Sequence, residues 1–158
     1  MRELFDYLSD TRSRFLKTFR ELGWEAFSQD RGATWGSMLG IFLHILDVEE
    51  GWLQYGARMK SILNAPDRKI EDFQGFDQLA ADNSKVSELT REYLAALEDE
   101  DLDQEVSFEE PAGQTRRRLG KIIGHAAVDE LAHVGELICL LWQLDVKPPY
   151  LDWLDYHV

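Results

Sequence analysis

Apolar residues spaced three and four apart constrain this sequence most, because that period belongs to an α-helix burying one face. Leu4, Leu8, Thr11, Phe15, Phe19 and Leu22 form one such stripe, so a first helix is expected from Arg2 to Leu22, stopped at Gly23. The stretch 27–33 (FSQDRGA) reads as a loop, with Thr34 as N-cap of a second helix running to about residue 63. Asn64-Ala65-Pro66-Asp67 is turn chemistry that ends it. After a linker at 69–75, Leu79, Val86, Leu89, Tyr93 and Leu97 mark a third helix over 76–97. The run 98–105 (EDEDLDQE) reads as a solvated link, after which Val106 and Phe108 alternate with polar residues as in a short extended hairpin. Thr115 then reads as N-cap of a fourth helix over 116–144, stopped before Pro148-Pro149. The expected fold is all-α: a four-helix bundle with a short extended or hairpin segment before the last long helix, forming one domain over 1–158.

Composition narrows the function classes. Against 17 Lys+Arg stand 30 Asp+Glu, a net charge of −13. Direct nucleic-acid binding and adsorption to anionic membranes both need clustered cations, so neither is expected. Cys139 is the one cysteine, which excludes an intramolecular disulfide and a thiolate-rich metal site. The start, MRELFDYLSDTRSRF, alternates charged and apolar residues unlike a signal peptide, and no apolar run reaches the roughly 18 residues of a membrane span. A cytoplasmic location is expected.

Polar residues sit where the helical period points inward. With His133 at zero on the last helix, Leu119, Ile122, Ala126, Leu137, Leu140 and Leu144 fall within about 40° of it, and so does Asp129. Asp129 and His133 are four residues apart, one turn on the same face. On the second helix His44 shares its side with Ser37, Gly40, Ile41, Val48, Gly51 and Tyr55, and the two glycines leave room beside it. Asp47 is placed to orient the His44 ring. Two imidazoles and a carboxylate from facing helices can hold a divalent metal and leave a position open for chemistry. The same three residues could instead form a hydrogen-bonded core cluster without metal. Glu130 and Glu136 flank the stripe at about 60° on either side, as orienting groups or alternative ligands. His125, roughly 12 Å from His133 along the axis, is an auxiliary or an ordinary half-buried histidine. Glu49 points about 140° away from His44 and is excluded from the metal shell.

Three segments carry a family resemblance: His44-Ile-Leu-Asp-Val-Glu49, His125-Ala-Ala-Val-Asp129-Glu130-Leu-Ala-His133-Val-Gly135-Glu136, and Leu144-Asp-Val-Lys-Pro148-Pro149. With the order of four helices, they resemble the DinB-like (damage-inducible) family over nearly the whole chain. The resemblance implies a metal-binding four-helix bundle, commonly dimeric, with one histidine ligand on the second helix and two on the last. His44 and His133 match the first and last ligands; Asp129 stands where the family usually has histidine. The implied set is two histidines and one carboxylate, able to hold nickel, zinc, iron or manganese. The resemblance further implies a thiol-dependent transferase or isomerase, with a low-molecular-weight thiol as cosubstrate; a metal-assisted hydrolase is a variant of the same chemistry. The alternative is a non-catalytic, dimeric, stress-related binding protein whose polar core cluster is structural.

Arg116, Arg117 and Arg118 open the expected fourth helix and suggest either an anion pocket for a small-molecule ligand or pairing with the acidic run. The segment 137–142 (LICLLW) is apolar all round and calls for cover by a homodimer interface, by the aromatic tail 150–156, or by both. Cys139 is expected to serve packing rather than nucleophilic chemistry, and His157 to be exposed.

Overall fold

The computed structural model describes residues 1–156, so His157 lies outside the described residues. Helix α1 (Arg2–Leu22) has the expected bounds, and Gly23 closes it at φ 95°, a conformation that only glycine adopts freely. A short helix, α2 (Trp24–Ser28), follows directly and takes in Phe27 and Ser28, the first two residues of the stretch expected as loop. Tertiary packing explains it: Trp24 and Phe27 both lie against Phe76, and Phe27 stacks on Phe19 at 4.5 Å.

Helix α3 (Met38–Glu50) starts later than expected, because Ser37 and not Thr34 caps it; the Gly40 N–H donates to the Ser37 hydroxyl at 3.0 Å. From Gly51 to Arg58 the same helix continues in π-helical form and stops there, short of residue 63. A single helical turn at Ile70–Asp72 leads to α4 (Phe76–Ala95). The acidic run forms a short 3₁₀ helix (Asp99–Asp103), followed by the expected hairpin, β1 (Glu105–Glu110) and β2 (Gly113–Arg118). Helix α5 (Leu119–Gln143) is the last element, so Thr115 and the three arginines belong to β2 rather than to its first turn. The alternation expected for 106 and 108 runs on into residues with no hydrophobic signal, because the pairing partner need not be apolar on the solvent side.

Helix α1 packs on α4 and α5, and α3 packs on α4 and α5. Two apolar clusters result. One gathers Phe15, Phe19, Phe42, Leu79 and Leu137; the other gathers Phe5, Leu8, Leu53, Phe108 and Ile123. Between them the long helices each contribute polar side chains to one buried layer: Arg12 from α1, Glu49 from α3, Asn83, Ser87 and Thr90 from α4, and Glu130 from α5. Arg12 is 1% exposed and donates to Glu49 at 2.6 Å, Glu130 at 2.5 Å, Asn83 at 2.7 Å and the Ser87 hydroxyl at 3.0 Å. Thr90 donates to the second Glu49 oxygen at 2.6 Å. A buried charge is tolerated only when paired and hydrogen-bonded, and these contacts meet that condition for Arg12.

This layer explains why the α4 stripe is rotated from its expected position. Its buried face is Leu79, Asn83, Val86, Ser87, Thr90 and Leu94, whereas Leu89, Tyr93 and Leu97 are half-buried.

Candidate metal centre

His44 on α3 faces Asp129 and His133 on α5, and the potential ligand atoms of the three lie within 4.8 Å of one another. Asp129 Oδ2 is 3.4 Å from His44 Nε2 and 3.8 Å from His133 Nε2. The two imidazole rings meet edge to face, centroids 4.8 Å apart. The expected trio is therefore assembled, but at the edge of the core rather than inside it: all three residues are half-buried. Helix α5 turns Glu130, Val134 and Leu137 inward and leaves Asp129 and His133 on the flank.

The donors fit a divalent ion. Asp129 Oδ2 is itself buried and has no hydrogen-bond partner among the described residues, an orphaned acceptor aimed at two imidazole nitrogens. Such an atom costs about 1–3 kcal/mol unless something satisfies it. Ligand atoms about 2.0–2.2 Å from a tetrahedral ion lie about 3.3–3.6 Å apart, close to the spacing seen between Asp129 and each histidine. Burial, together with the nearby His133, lowers the His44 pKa against the opposing Asp129 charge, which favours the neutral imidazole that a metal ligand requires.

Glu136 lies beside His133, where an orienting group was expected. One of its oxygens lies 3.1 Å from His133 Nδ1, and the other accepts the Thr34 N–H at 2.8 Å. Partial burial acts to raise its pKa, but Thr34 and His133 outweigh that and hold it below the usual carboxylate range. A carboxylate on Nδ1 presents Nε2 toward Asp129 and makes it a stronger donor.

Asp47, Glu130, His125 and Cys139 lie in surroundings other than those expected. Asp47 does not orient His44: Arg68 holds its two oxygens, through the guanidinium at 2.6 Å and the backbone N–H at 3.1 Å. Arg68 also donates to Glu50 and Asp82, so a residue from an irregular segment pins α3 to α4. Glu130 is bound to Arg12 rather than to the histidines. His125 is exposed and lies against Trp52, two turns from His133 along α5. Of the arginine run, Arg116 pairs with Glu105 at 3.3 Å and Arg118 with Asp103 at 3.8 Å, in line with pairing to acids rather than a three-arginine anion pocket. Cys139 is exposed rather than packed. Trp153 and Tyr156 of the tail lie against Tyr7 of α1, and Trp142 remains 58% exposed.

One contributor carried no signal in the sequence. Trp35 stacks flat on His44, centroids 4.0 Å apart, and closes one side of the centre. Its loop is held by the Thr34–Glu136 bond and by Arg31 N–H donating to the Gly36 carbonyl at 2.8 Å. Gly40 makes this possible, because a Cβ there would overlap the Trp35 carbonyl oxygen. The room that Gly40 leaves beside His44 is thus filled by this loop. Alanine normally favours a helix interior over glycine, by about 1 kcal/mol. Here the sign should reverse: Gly40→Ala is expected to destabilise by about 1–3 kcal/mol and to displace Trp35, read by thermal unfolding and tryptophan fluorescence. An equal or higher melting temperature would contradict the contact.

The DinB family model matches residues 1–158 of the chain. No curated protein matches it. Among the described residues no helix is long and apolar enough to cross a membrane.

Proposed function

The chain belongs to the DinB family, and from that premise we propose that it is a single-domain four-helix bundle that binds one divalent metal through His44, Asp129 and His133. The observation that carries this reading is the buried, partnerless Asp129 oxygen between two imidazole nitrogens. A bound divalent ion would lower the pKa of a thiol or water and supply a nucleophile at neutral pH. The chain's own groups prepare that chemistry. Glu136 fixes the tautomer and direction of His133, Trp35 shields the His44 ring from water, and the Arg12 layer holds α3 and α5 in register beneath the ligands.

The reaction class proposed is thiol-dependent group transfer, with a low-molecular-weight thiol as cosubstrate; nickel, zinc, iron and manganese all suit two imidazoles and a carboxylate. Turnover of chlorodinitrobenzene with a panel of small thiols tests it. Metal-dependent activity that His133→Ala abolishes is the expected result. Equal rates for both proteins, or no rate with any metal and thiol, would favour the non-catalytic reading.

A homodimer is part of the same proposal. Val128, Leu131, Gly135, Cys139 and Trp142 are exposed at three- and four-residue steps along the outer face of α5, an apolar stripe of the kind that another subunit covers. Light scattering at micromolar concentration should give twice the chain mass for wild type and the single mass for Trp142→Glu. A monomeric wild type would refute the dimer.

A further inference from the structure

Two turns along α5 from His133, a separate cavity of about 240 Å³ opens among Trp52, Arg117, Lys121, Ile122 and His125. Its aromatic wall is held in place: Trp52 meets Phe108 and His125 edge on, at 5.6 and 5.4 Å. Strand alternation singles out Arg117 from its neighbours. It pairs in register with Val106, whose side chain is buried, while Arg116 and Arg118 pair with Ser107 and Glu105 on the other face. Lys121 and His125 are four residues apart, one turn on the same face of α5.

The cations that line this cavity differ from their strand neighbours Arg116 and Arg118 in having no carboxylate partner. Among the described residues, Arg117 makes only a hydrogen bond to the Arg116 carbonyl, and the side chains of Lys121 and His125 make none. Arg117, Lys121 and His125 gather round one apolar hollow whose lining contains no carboxylate, an arrangement that favours an anion there. A guanidinium and an ammonium above an indole suit a planar anion with a flat apolar body. The volume, below the usual range for drug-sized ligands, admits one or two fused rings.

We propose that this cavity binds a small aromatic carboxylate, its ring against Trp52 and Ile122 and its charge on Arg117 and Lys121. The site is independent of the metal centre, and the test keeps the two apart. Full-length, metal-stripped protein is titrated calorimetrically with naphthoate, with the neutral naphthalenemethanol and with acetate. Naphthoate should saturate one site per chain and bind at least about tenfold tighter than either of the others. The double variant Arg117→Gln, Lys121→Gln should weaken naphthoate at least about tenfold with an unchanged melting temperature, since neither side chain supports the fold. His44→Ala should bind as wild type does. Absence of saturable binding, equal affinity for the alcohol, or wild-type affinity in the double variant would overturn the proposal. Loss of binding in His44→Ala would also overturn it, by moving the ligand to the metal centre.

Discussion

Replacing Arg12 with leucine is expected to cost about 3–5 kcal/mol of folding stability, the usual result of removing one partner from a buried ion pair. For a chain of this size that lowers Tm by about 6–20 °C. The loss comes from what remains: Glu49 and Glu130, both at most 2% exposed, would face each other with no cation between them. Urea unfolding of wild type and variant at neutral pH measures it, and a difference under about 1 kcal/mol would refute the role given to this layer. Glu130→Gln separates charge from shape and should stay within about 1 kcal/mol of wild type at pH 7.

The Glu130 carboxyl also gives the layer a pH dependence. Burial pushes its pKa up to about 7, with Glu49 and Asp129 adding to the effect and Arg12 opposing it. A carboxyl raised in the folded state favours folding when protonated. Its contribution is therefore full below the unfolded value near 4.5 and is lost as pH rises through about 7. Metal-stripped wild type should lose stability relative to Glu130→Gln across that interval. A gain with rising pH would contradict the assignment.

The polar layer also shows why part of the fold was legible in the sequence and part was not. Helix α1 was readable because Leu8, Phe15 and Phe19 keep the period. Arg12 lies on that same stripe, four residues after Leu8 and three before Phe15, but a charged side chain is normally assigned to the surface. Once Arg12 is inside, α4 must answer it with Asn83, Ser87 and Thr90, and a hydrophobic pattern cannot see a buried face made of polar residues. On α5 the apolar stripe Leu119, Ile122, Ala126, Leu137 and Leu140 is buried as expected, but Glu130 is buried with it and Asp129 and His133 lie on the flank.

At the candidate site, His44, Asp129, His133 and Glu136 followed from helical spacing, because residues four apart on one helix must share a face. Trp35 did not, since its position depends on an irregular loop folding back over α3. Nor did Arg68, which reaches Asp47 across 21 residues of sequence from a segment without periodicity. The π-helical turn at Gly51–Arg58 was invisible for a related reason: its side chains fit a 3.6 period closely enough to read as ordinary helix.

Removing any one of the three proposed ligands should have the second large effect. Loss of a group that merely orients a metal ligand typically weakens binding about 10–100-fold. His44→Ala, Asp129→Ala and His133→Ala, which remove the donor itself, should each weaken metal binding by at least about 100-fold. Glu136→Gln should fall within about 10–100-fold, because it leaves the His133 donor but weakens its partner. The partners are His133 Nδ1 and Glu136 at 3.1 Å. Competition against a chromophoric chelator gives all four values in one series. Circular dichroism should show the variants folded, since the trio lies at the core edge. If Asp129→Ala binds as wild type does, the carboxylate is not a ligand and the orphaned oxygen needs another partner.

The most direct measurement is the metal content of the protein purified without a histidine tag, wild type beside His44→Ala, by mass spectrometry of the elements. About one divalent ion per chain in wild type and almost none in the variant is the result expected for a site with one open position. Near-zero content in both, persisting after incubation with nickel, zinc, iron and manganese, would contradict the account and leave His44, Asp129 and His133 as a structural cluster.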